Sequence, residues 1–75
     1  MLTYLTITFS SEGERPSKVI EALHNLGFEA TTGNYDSVYR WDDKATIEDA
    51  LYLADKVQFT LKGMGVMFKL ETVND

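Results

Sequence analysis

Pro16 to Trp41 read PSKVIEALHNLGFEATTGNYDSVYRW, and the order of patterns inside this stretch decides the fold. Pro16 suits a first helical position, where its missing N–H leaves nothing unpaired. Val19, Ala22, Leu23 and Leu26 follow at i, i+3, i+4 and i+7 and make one apolar stripe. Gly27 then ends the helix, because glycine takes the left-handed cap conformation without penalty. Phe28 falls where a Schellman cap sets its apolar contact, back onto Leu23. Two short β-prone runs come next, Glu29 to Thr32 and Ser37 to Trp41, with Gly33-Asn34-Tyr35-Asp36 as turn chemistry between them. The first run is poor in apolar residues and is expected at a sheet edge.

Working outward, Leu2 to Phe9 alternates with a period of two. Thr3, Leu5, Ile7 and Phe9 share one face, expected to be the core face; Leu2, Tyr4, Thr6 and Thr8 share the other. On the far side, Asp42 to Ala45 is a loop, and Thr46 is a good N-cap with Glu48 and Asp49 in the first turn. Ile47, Ala50, Ala54, Val57 and Leu61 are expected to form the buried stripe of this second helix, flanked by Leu51 and Leu53. Gly63 and Gly65 stop it. In the last strand, Val66 to Val73, Val66, Phe68 and Leu70 face one way and Met67, Lys69 and Glu71 the other. The order βαββαβ resembles the ferredoxin-like architecture: an α+β two-layer sandwich, a four-stranded antiparallel sheet with two helices on one face. A three-stranded βαβαβ arrangement stays open if Glu29 to Thr32 is only loop.

The chain has 75 residues, read as a single domain over 1–75. A chain this short buries only about 60% of the surface that its unfolded form exposes, so it gains much from a staple or from oligomerisation. Cysteine is absent, which excludes disulfides, zinc–thiolate sites and thiol nucleophiles. No run approaches the roughly 18 apolar residues of a membrane span, and the N-terminus reads as a strand rather than a signal peptide. The expected location is the cytoplasm. Twelve acidic residues against seven basic give a net charge of −5, and the Lys and Arg are scattered. Nucleic acid, which calls for clustered cations, is disfavoured as a partner.

Two surfaces are candidates for function. Alternation places Tyr4, Thr6 and Thr8 on the open sheet face with Arg40 and Lys69, a polar patch with two cations and an aromatic, suited to a small anionic ligand or to a second copy. Tyr39 and Trp41 lie opposite Arg40. Burying Arg40 without a partner is costly, so the two rings are expected inside. Tyr52 and Phe59 stand off the buried stripe of the second helix and form the other candidate contact surface.

Catalytic chemistry finds little footing. Asp42, Asp43, Glu48 and Asp49 lack the spacing of a calcium loop. His24 is the lone histidine, the serines lack a nucleophile elbow, and Gly63-Met64-Gly65 lacks the lysine of a phosphate-binding loop. No metal, cofactor or catalytic set is assigned. Leu26-Gly27-Phe28 followed by Ser37-Val38-Tyr39 resembles the small VapD-like ribonucleases, which carry an aspartate at the end of their first strand. Thr8-Phe9-Ser10 has no acid there, and the activity is not carried over. The reading is a non-enzymatic interaction or regulatory module, a homodimer or a binder of another protein. By fold alone it is similar to ACT-like and dimeric α/β-barrel proteins, which associate through such sheets. The alternative is a small metal-dependent hydrolase or nuclease using carboxylates drawn from Asp36, Asp42 and Asp43, which requires at least two of them to converge.

Overall fold

A computed structural model describes residues 1–74. The element order is β1 (Leu2–Thr8), α1 (Pro16–Asn25), β2 (Glu29–Ala30), β3 (Ser37–Arg40), α2 (Ile47–Leu61) and β4 (Met67–Val73). The strands form one sheet in the order β2-β3-β1-β4, and every neighbouring pair is antiparallel. This is the ferredoxin-like α+β sandwich that the periodicity predicts, and the four-stranded form holds. β2 is an edge strand, only two residues long. A strand that short offers little to a foreign chain.

α1 begins at Pro16 and ends in a full Schellman cap. The Gly27 N–H donates to the His24 carbonyl at 2.9 Å and the Phe28 N–H to the Leu23 carbonyl at 3.1 Å. Gly27 sits at φ 107, where a side chain is strained. The cap drives Phe28 into the core beside Leu23, and Phe28 meets the edge of the Tyr39 ring at 5.5 Å between centroids. α2 opens with a reciprocal capping box: Asp49 N–H donates to Thr46 Oγ1, and Thr46 N–H donates to the Asp49 carboxylate at 2.9 Å.

Leu5 and Ile7 of β1, Val19 and Leu23 of α1, and Leu53, Val57 and Leu61 of α2 form one buried cluster with Phe28, so both helices cover the same sheet face. Tyr39 and Trp41 pack against this cluster, their rings 4.6 Å apart, as the cost of burying Arg40 requires. Buried Thr3 shares that face. Its hydroxyl accepts from Trp41 Nε1 at 2.8 Å and lies 2.8 Å from the Thr72 hydroxyl, which leaves no polar atom of the group unsatisfied.

Two expected core positions lie outside it. β1 ends at Thr8, so Phe9 has left the ladder and is exposed. Ile47 is 60% exposed. At 100° per residue it lies about 80° around α2 from Val57, whereas Leu53 lies only about 40° away and takes the central buried place.

Replacing Gly27 with Ala is expected to destabilise the fold by about 2 kcal/mol, because the residue needs a left-handed backbone and its added Cβ would meet the Tyr39 ring at 2.9 Å. Urea denaturation checks this; an unchanged midpoint would show that the cap and the Tyr39 contact relax freely.

Candidate functional site

The open sheet face is built on the even residues of β1. Tyr4 lies between Val38 of β3 and Glu71 of β4, and Thr6 lies beside Lys69. Leu2 lies beside Arg40. The five residues of the expected patch therefore share one face, but they do not form one cluster. Arg40 and Lys69 stand level with residues four apart on β1, roughly 13 Å along the strand at 3.3 Å per residue.

The middle of the face is covered. The turn between β2 and β3 folds back so that the Tyr35 ring stacks on Tyr4 with centroids 4.4 Å apart. Val38, the cross-strand neighbour of Tyr4, is only 3% exposed although it points away from the helices. Asp36 fixes this turn. Its backbone N–H donates to the Leu5 carbonyl at 2.9 Å, and its carboxylate accepts from the Ile7 N–H at 2.7 Å. The side chain thus continues the ladder past the end of β3, which would otherwise leave the Ile7 N–H unpaired. The Tyr35 hydroxyl reaches Glu71 at 3.4 Å, and the Glu71 charge holds the phenol above its ordinary pKa of 10.0.

The two ends of the face differ. At one end Arg40 pairs with Glu29 at 3.3 Å across the β2–β3 ladder, both side chains exposed. At the other, Lys69 makes no ion pair among the described residues and borders a shallow cleft of about 260 Å³ with Thr6, Thr8 and Met67. This end keeps the hydroxyl and ammonium chemistry that suits a small anion; the Arg40 end does not.

The second candidate surface is larger than Tyr52 and Phe59 alone. Ile47, Leu51 and Phe59 lie in one i, i+4 row on the outer side of α2, interrupted by Asp55, with Tyr52 alongside. Tyr52 is 64% exposed and Phe59 82%. The Lys56 ammonium lies over the Tyr52 ring at 4.9 Å. Ile47, expected in the buried stripe, and Leu51, expected beside it, both belong to this exposed apolar face.

An open cleft of about 480 Å³ between α1 and the β2 side of the sheet has no counterpart in the sequence reading. Ile20, Phe28 and Ala30 give it apolar walls, with His24 and Glu21 also lining it. Only the docking of α1 beside a short β2 creates it, and no local motif signals that.

Asp36 does not converge with Asp42. Asp36 bonds to β1 at Leu5 and Ile7, while Asp42 follows Trp41, whose N–H bonds to the Met1 carbonyl. Leu5 and Ile7 lie about 13 and 20 Å along β1 from Met1, beyond a shared metal site with ligand distances near 2 Å. Among the described residues no group of three His, Cys, Asp or Glu side chains is placed to hold a metal ion, and no helix is long and apolar enough to cross a membrane. Comparison of the chain with family models, with curated proteins and with solved structures gives no match.

Removing the Glu71 charge by Glu71→Gln is expected to lower the Tyr35 titration midpoint, since that carboxylate is the largest cause of its raised value. Titration followed by tyrosine absorbance or by ring NMR reads this directly; an unmoved midpoint would mean that Tyr35 does not lie against Glu71.

Proposed function

We propose that this chain is an interaction module that self-associates and works by binding. The observation that carries the reading is the large apolar surface left in solvent: Ile47, Leu51, Tyr52, Phe59 and Met67 are 60% to 82% exposed. Aromatic side chains carry about 150–250 Å² each, so Tyr52 and Phe59 alone leave on the order of 300 Å² open, already near the largest apolar patch of a typical monomer. A small chain without cysteine has most to gain from covering such surface with protein.

The two sides of the molecule suit different contacts. On α2, laying Leu51 against Phe59 of an antiparallel second copy also lays Asp55 against its own counterpart, a like-charge contact at the centre of the pair. The outer face of α2 is therefore the side for a different protein, one that answers Asp55 and Glu48 with a cation. The sheet side, which carries Tyr4, Thr6, Thr8, Arg40 and Lys69, is the side for a second copy.

Light scattering from low micromolar to submillimolar concentration tests this. The expected result is a rise from the one-chain to the two-chain mass, retained by a Leu51→Glu, Phe59→Glu double variant. A one-chain mass throughout would contradict self-association. A double variant that becomes monomeric would move the self-contact onto α2.

A further inference from the structure

β4 is the sheet's other edge, and it is long. It pairs with β1 over its whole length, from Met67 opposite Thr8 to Val73 opposite Leu2, and contains neither Pro nor Gly. The direction of its free backbone groups follows from β1. The Leu5 carbonyl and the Ile7 N–H both bond to Asp36, and the Met1 carbonyl accepts from Trp41, so the odd residues of β1 turn their backbone groups to the β3 side. A strand alternates, so Leu2, Tyr4, Thr6 and Thr8 turn theirs to β4. Their partners Val73, Glu71, Lys69 and Met67 turn inward to meet them. Phe68, Leu70 and Thr72 are left with N–H and C=O groups directed away from the sheet.

The same strand is self-complementary about Leu70. Read outward from that residue, Lys69 mirrors Glu71, Phe68 mirrors Thr72 and Met67 mirrors Val73. We propose that a second copy of this chain pairs antiparallel with the β4 edge about a two-fold axis at Leu70, joining two sheets into one. The inference rests on the self-association proposed above and supplies its geometry.

Three features select this pairing. Every outward N–H and C=O of Phe68, Leu70 and Thr72 finds its counterpart, because each of these residues then stands opposite another outward one. Lys69 of one copy lies directly opposite Glu71 of the other, twice per dimer, at the closer, non-hydrogen-bonded positions of the ladder, where opposite charges stabilise and like charges repel. Met67, 75% exposed, gains Val73 of the second copy on the same face. Moving the axis to Phe68 or Thr72 keeps the backbone parity but separates Lys69 from Glu71 and leaves outward groups unpaired. Two paired strand edges make a small contact, of the size class in which weak, transient complexes are found.

The test is a charge exchange read by sedimentation velocity, with amide hydrogen exchange by NMR on the wild type. Lys69→Glu and Glu71→Lys each set like charges face to face and are expected to raise the dimer dissociation constant about tenfold or more. The double variant restores opposite charges and is expected to return to within a few-fold of the wild type. In the wild type, the Phe68, Leu70 and Thr72 amides slow their exchange as concentration rises. A dimer that ignores all three variants and leaves those amides exchanging at a concentration-independent rate would overturn the edge pairing and leave self-association standing. A wild type that stays monomeric would overturn both.

Discussion

β1 is the strand on which the other assignments depend, because it is paired on both sides and its period of two acts in two directions at once. Its side chains separate core from open face: Leu5 and Ile7 with Thr3 go under the helices, Tyr4 and Thr6 go outside. Its backbone groups divide with the same alternation, odd residues towards β3 and even residues towards β4. A slip of one residue would exchange both sets together. Asp36 guards that register from the β3 side, bonding through its backbone to Leu5 and through its carboxylate to Ile7.

Where the determining contacts are local, the sequence was readable. The helix stop at Gly27, the return of Phe28 onto Leu23 and the N-cap at Thr46 each depend on residues a few positions apart, and each is present in the fold. Alternation also assigned the face of each open-sheet residue. It carried no information on distance along the strand, which is set by register, and so Arg40 and Lys69 fall at opposite ends. Tyr35 closing over Tyr4, and Asp36 standing in for a ladder residue, are contacts between segments about 30 residues apart, and no local pattern encodes them. Ile47 lies outside the core for a different reason. α2 is apolar on two sides, and periodicity alone admits either as the buried one until the sheet selects Leu53, Val57 and Leu61.

The arrangement gives the molecule two unlike surfaces. The outer row of α2 is strongly apolar with an acid at its centre, a composition that suits a basic partner and opposes pairing with itself. The β4 side has outward backbone groups, a Lys and a Glu in mirrored positions, and apolar residues only partly covered by the core, since neither Phe68 nor Leu70 is as buried as Leu5 of β1. A small acidic chain that pairs along β4 would display its two α2 faces on one continuous sheet. Binding would then be bivalent.

Small-angle X-ray scattering over a concentration series measures this most directly, because it reads mass and shape together. The account predicts a particle that reaches the two-chain mass and grows elongated, with a radius of gyration well above the 12.1 Å of the single chain. A particle that keeps the one-chain mass and a radius near that value at every concentration would contradict it.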